Sequence, residues 1–203
     1  MLRIIKWTGT LLLLLSLLWC GGLLADKQSL RENVIRLHVV ANSNTEEDQL
    51  QKLIVRDAVL DYLQDAMEGL SDPDEVKQYL QSQLSKIEEI ANNALQSTVS
   101  VNCADVSFGT EAFDTREYDT FQLPSGIYES LKISIGDGKG ENWWCVIFPS
   151  LCVPDTVEAF CDTAAASGIG DSLINSLAGK EEYETRFFFL ECLGRIEKFF
   201  FRD

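Results

Sequence analysis

Histidine is almost missing from this 203-residue chain, which holds one, His38. Its six cysteines never come closer than seven positions, at Cys145 and Cys152. A zinc site needs about four close ligands, usually in C-x₂₋₄-C pairs. One histidine and scattered cysteines do not supply them, so no metal and no cofactor are expected. Basic residues are few: 17 Lys and Arg face 32 Asp and Glu, for a net charge of −15. Nucleic acid and anionic lipid repel such a chain, which leaves neutral or basic surfaces as its partners. Internal repeats and low-complexity tracts are absent. The loop "GDGKG" at 136–140 fails as a phosphate cradle, because a phosphate loop opens a helix and this one opens an apolar strand-like run.

Charge is also scarce at the start. Arg3 and Lys6 are the only charged residues before Asp26, and "WTGTLLLLLSLLWCGGLLA" (Trp7–Ala25) follows them. A basic tip, an apolar run and a small-residue end make an export signal. The run is long enough to cross a bilayer if it is retained. Cys20 follows Trp19, where a lipid-attachment motif wants a small residue. Residues 1–25 are read as a signal peptide or membrane anchor, and residues 26–203 as one exported domain. Five cysteines remain there, Cys103, Cys145, Cys152, Cys161 and Cys192, and an odd number cannot all pair.

Within the domain, periodicity predicts an α+β fold: a largely antiparallel sheet with helices packed on it. "VIRLHVVAN" (Val34–Asn42) alternates. Ile35, Leu37, Val39 and Ala41 fall on an apolar face, and Arg36, His38, Val40 and Asn42 on a more polar, partly exposed one. "NSNTEEDQ" holds two overlapping capping boxes, Ser43 to Glu46 and Asn44 to Glu47. They open a helix to about Gln64, aided by an Asp48–Lys52 pair. Asp72 and Pro73 start a second helix to about Leu95, with Val76, Leu80, Leu84, Ile87, Ile90 and Ala94 in one stripe. Strands are expected through Val99, Val101 and Cys103, weakly in "YDTFQLP", through Leu131 to Ile135, and in "NWWCVIF" (Asn142–Phe148). The last is apolar on both faces and so covered on both. With the glycine loop, the last two read as a hairpin. A short helix capped by Asp155 follows, then a connector without core pattern at 167–182. The end begins as a strand near Glu184–Phe188 and turns helical.

A cysteine hydrolase needs a thiolate beside a base. His38 with Cys145 or Cys152 is the available combination, and the apolar flanks of Cys145 (Trp144 and Val146) favour an inert thiol. No residue is assigned as catalytic. Cys145 and Cys152 are instead a disulfide candidate, with two buried free thiols as the alternative. If the chain reverses between them, Phe148 and Pro149 form the turn, and proline at its second position points to a cis peptide. Cys103 is expected in the core.

Three stretches then resemble a known family, stage II sporulation protein R. They are "IRLHVVANSNTEEDQLQKLIVRDAVLDYL" (Ile35–Leu63), "LPSGIYESLKISIGDGKGENWWCVIFPSLC" (Leu123–Cys152) and "YETRFFFLE" (Tyr183–Glu191). The first two are specific and the third is weak alone. Asn44 stands where the family pattern has an acid, and Ser150 where it has proline. The resemblance implies a signalling protein of endospore-forming bacteria, exported from the forespore into the space before the mother cell. There it would activate a membrane-embedded aspartic protease that processes the sigma factor E precursor. Partner contacts are expected at Arg36, His38, Asn42, Ser43, Asn142, Trp143 and Trp144, since tryptophan is enriched at binding hot spots. The rival is an exported cell-wall hydrolase using His38 with a cysteine or carboxylate.

Overall fold

A computed structural model describes residues 2–98, 100–149, 156–179 and 184–201. In chain order they form α1 (Leu2–Asn33), β1 (Ile35–Val40), α2 (Glu46–Ala66), α3 (Pro73–Ser82), α4 (Leu84–Ser97), β2 (Ala104–Phe113), β3 (Arg116–Glu117), β4 (Gln122–Leu123), β5 (Gly126–Ile135), β6 (Asn142–Phe148), α5 (Val157–Ala166), α6 (Asp171–Leu177) and α7 (Glu184–Phe201). The fold is α+β. Four strands form a mixed sheet in the order β2-β5-β1-β6, with β1 parallel to β5 and the other two pairings antiparallel. The weak "YDTFQLP" segment contributes β4 to a separate two-stranded ribbon with β3.

The expected hairpin is corrected. β5 and β6 run in opposite directions, but β1 lies between them: Leu37 pairs with Leu131 on one side and Cys145 on the other. Neighbouring strands sit about 4.8 Å apart, so the loop at 136–141 spans about 10 Å over the end of β1. Turn chemistry announces a reversal and is silent on what sits between the arms.

Helices cover both faces of the sheet. Ile35, Leu37 and Val39 of β1 pack with Val55 and Val59 of α2, Val76 and Leu80 of α3, and Ile87 and Leu95 of α4. On the opposite face, Phe113, Tyr128 and Val146 pack with Leu23 and Leu30 of α1, Phe160 of α5, Leu173 and Leu177 of α6, and Phe187 and Leu190 of α7. Every residue of β1 is therefore buried, including those of its polar face. That face was expected to be partly exposed, and the second layer of helices is what covers it.

Other expectations change in detail. Thr45 caps α2, accepting from the Asp48 amide at 3.3 Å, in place of Ser43 or Asn44. Asp48 and Lys52 do not pair: Lys52 donates to Gln49 Oε1 at 2.6 Å and the Glu141 carbonyl at 3.1 Å. Asp72 and Pro73 do start the second helix, which breaks at Gln83 into α3 and α4. The break rotates the stripe, so Ala91 and Leu95 are buried with Ile87. Val101 and Cys103 are exposed, because β2 starts only at Ala104; Val99 lies outside the described residues. Thr156 caps α5, and Asp155 lies outside the described residues. The connector holds α6, whose Leu173, Ile174 and Leu177 are buried, and the strand expected near Glu184 is the first turn of α7.

Candidate functional site

On the covered polar face, His38 of β1 lies between Lys132 of β5 and Trp144 of β6, and Glu111 reaches both His38 and Lys132 from β2, one strand further out. His38 is 6% exposed. Its Nδ1 lies 3.1 Å from Glu111 Oε2 and its Nε2 2.8 Å from Asn142 Oδ1. Its ring stacks on Trp144, with centroids 3.8 Å apart. Both ring nitrogens thus have side-chain partners, one from β2 and one from β6, which fix the plane of the ring. Lys132 Nζ sits 3.0 Å from the other Glu111 oxygen. Burial pushes the Glu111 carboxyl up, but hydrogen bonds from His38 and Ser130, the charge of His38 and the Lys132 ammonium outweigh it and hold it down at about 2.

Arg36 lies deeper on this face and is fully buried. Its guanidinium sits 4.1 Å from the Phe113 ring centroid and 5.3 Å from that of Tyr128. Nη2 donates to the Tyr118 hydroxyl at 2.8 Å. Nε and Nη1 have no hydrogen-bond partner among the described residues. Aromatic faces compensate part of the cost of burying this cation. Burial pulls its pKa below the ordinary value, opposed by Tyr118 and Tyr128. Arg36 ties β1 to the ribbon segment that holds Tyr118, and it offers no surface to a partner.

Asn42 and Ser43 form a different assembly, where β1 ends under the 136–141 loop. Asn42 Oδ1 accepts from the Asp137 amide at 2.9 Å, and its carbonyl accepts from Lys139 N at 3.1 Å. Asn42 Nδ2 donates to Asp48 Oδ2 at 2.9 Å, and Ser43 Oγ donates to the same oxygen at 2.5 Å. Asn102 Nδ2 reaches Asp48 Oδ1 at 3.3 Å. Hydrogen bonds from Ser43 and then Asn42 lower the Asp48 pKa. Asn44 Oδ1 accepts from the Glu141 amide at 2.7 Å. Gly140 passes so close that a Cβ there would collide with the Ser43 carbonyl. These residues clamp the loop over β1, and Asn42 and Ser43 spend their side chains on that clamp.

Of the residues expected to meet a partner, the exposed ones lie at the start of β6. Asn142 and Trp143 are exposed, Trp143 at 37%, and the Arg56 guanidinium lies 4.2 Å from a Trp143 ring centroid. Trp144 is half-buried, edge-on to Phe113 and stacked on His38. The two tryptophans part company because successive strand residues face opposite ways. Cys145 is disulfide-bonded, and Cys152, its expected partner, lies outside the described residues. Cys20, Cys103, Cys161 and Cys192 are free. The Phe148–Pro149 peptide is cis. Sequence reasoning found His38 and missed Glu111 and Lys132. Period-two alternation was readable around Lys132, whereas the stretch that holds Glu111 was not read as a strand, and the strand order that joins the two was not legible.

Compared with known proteins, residues 31–158 match the family described as Stage II sporulation protein R (spore_II_R). A curated relative, Stage II sporulation protein R of Bacillus subtilis (strain 168), is 34% identical over 124 residues. That alignment covers 61% of this chain and 55% of the relative, so the chain spans about half the length of the curated protein it matches. No solved structure matches. The matched region takes in the whole sheet, the His38 cluster and the clamp at Asn42, and on that match the chain belongs to the stage II sporulation protein R family.

Proposed function

We propose that this chain is an exported signal of endospore formation. It passes from the forespore into the space before the mother cell and activates a membrane-embedded aspartic protease that processes the sigma factor E precursor. Family membership over residues 31–158 is the observation that carries this reading. The apolar helix Lys6–Asn33 is compatible with an export signal or an anchor. The chain acts by binding and not by catalysis: an activator that binds the active state of a protease more tightly shifts its population toward that state.

The contact surface is the exposed start of β6, Asn142 and Trp143, with His38 and Trp144 beneath it and the Asn42–Ser43 clamp beside it. An exposed tryptophan propped by an arginine is the kind of side chain that dominates binding energy. Co-expression with the protease and the precursor tests the proposal, with precursor cleavage as readout. Trp143→Ala is expected to lower cleavage about tenfold or more, as hot-spot truncations do, while export and thermal unfolding stay unchanged. A folded, exported Trp143→Ala chain that supports normal cleavage removes this surface. A wild-type chain that yields no cleavage removes the activator reading itself.

The His38–Glu111 pair favours one second reading, a wall hydrolase using histidine and a carboxylate. Cys145, being disulfide-bonded, offers no thiolate to that set. Peptidoglycan cleaved by the purified chain, and spared by a folded His38→Gln variant, would establish the hydrolase.

A further inference from the structure

Helix α7 presents two unlike faces. Phe187, Leu190 and Gly194 are buried against the sheet and α1. Phe188, Phe189, Cys192, Ile196, Phe199 and Phe200 fall within an arc of about 120° on the other side, at 3.6 residues per turn. Five of these six are large, apolar and exposed; Phe199 is 77% and Phe200 74% exposed. Side chains of this kind in one stripe mark a surface that something covers.

The neighbouring helix identifies the cover. Trp7 and Trp19 flank the exposed leucine run of α1, whose apolar stretch is long enough to cross a membrane. Tryptophan settles at the boundary between hydrocarbon and water. Trp19 packs edge-on against Phe189, with ring centroids 4.7 Å apart. Beyond it, Arg186 of α7 donates to Asp26 of α1 at 2.6 Å, and Lys27 of α1 pairs with Glu197 of α7 at 2.6 Å. The aromatic face of α7 is therefore continuous with the segment of α1 at the membrane boundary.

We infer that α7 is an interfacial helix: its outer aromatic face lies in the surface of the bilayer that α1 enters and seats the domain on that membrane. The inference rests on the anchored state of residues 1–25. The membrane contact is apolar. The basic residues of α7 are occupied, Arg186 by Asp26, Arg195 by Glu191 and Lys198 by Asp114. With a chain charge of −15, anionic lipid offers no attraction. The helix suits a neutral, zwitterionic surface, on which burial of phenylalanine supplies the affinity.

The full-length chain, reconstituted in phosphatidylcholine vesicles containing a diazirine-bearing phosphatidylcholine, tests this. After illumination, mass spectrometry is expected to find lipid adducts on peptides of α1 and also of α7. In a Phe188→Ser/Phe199→Ser/Phe200→Ser variant the α7 adducts should fall about tenfold or more, with α1 adducts and the near-ultraviolet circular dichroism unchanged. Adducts on α1 with none on α7 would sink the inference and leave the anchor intact. Cross-links from α7 to a second copy of the chain, without lipid, would sink it in favour of a dimer. Adducts on α7 with none on α1 would remove the anchored state and overturn the inference with it, since α7 would then meet lipid without α1 entering the same bilayer.

Discussion

Glu111 sets the acid response of the covered polar face. Its carboxyl is held at about 2, against an ordinary 4.5, so the folded chain binds that proton less readily than the unfolded one. The stabilisation is fully present above about pH 4.5 and is lost as pH falls toward 2. A shift of this size corresponds to at most about 3 kcal/mol. Glu111→Gln should lower stability in urea at pH 7, and the gap from wild type should narrow at pH 3. A gap that is the same at both pH values would mean that His38 and Lys132 do not stabilise the carboxylate. Asn42 differs, because its bonds go to the backbone and to Asp48. Its loss would disturb the loop before it touched any partner, which makes Trp143 the cleaner probe of binding.

Elements were legible in this sequence to the extent that their periods were local. β1 was readable because six residues alternate, and Asp72–Pro73 because a cap and an N1 proline are adjacent signals. The pairing of β5 with β1, and the insertion of β1 between β5 and β6, depend on contacts between residues such as Ile35 and Glu129 or Ile35 and Phe148, too far apart in the chain for any local pattern to encode. α7 was half readable. Its three consecutive phenylalanines suit a strand, but burial of Phe187, Leu190 and Gly194 follows a helical period. Gly194 is the element's tightest point, since a Cβ there would collide with the Ser125 carbonyl. The Ser125 hydroxyl also donates to the Glu191 carbonyl at 3.2 Å. Gly194→Ala must push α7 away from Ser125, just before β5, at a cost of about 1–3 kcal/mol for overpacking. Urea unfolding measures this, and hydrogen exchange should show faster opening in 184–201 than elsewhere. An unchanged midpoint would mean that α7 does not sit this close to Ser125.

Across the whole molecule, the boundary between leader and domain is the least separable feature. Charge and hydropathy put it at residue 26, yet α1 continues unbroken to Asn33 and plants Leu23 and Leu30 in the second core. Asp26 and Lys27, the first charges after the apolar run, each hold α7. The end of α1 is thus a structural part of the domain, whatever becomes of the leucine run. Three shortened chains, beginning at Gly22, Asp26 and Val34, separate these contributions. Starting at Asp26 removes buried Leu23 and should cost about 2 kcal/mol relative to starting at Gly22, the value of burying one leucine. Starting at Val34 also removes Leu30 and both ion pairs with α7, and should cost at least about twice as much. Urea midpoints report the order. Equal stability of all three would show that α1 contributes nothing to the domain. The predicted order would mean that removal of the leader after Ala25 weakens the seating of α7, so that a retained anchor keeps both the core and the aromatic face of α7 in place.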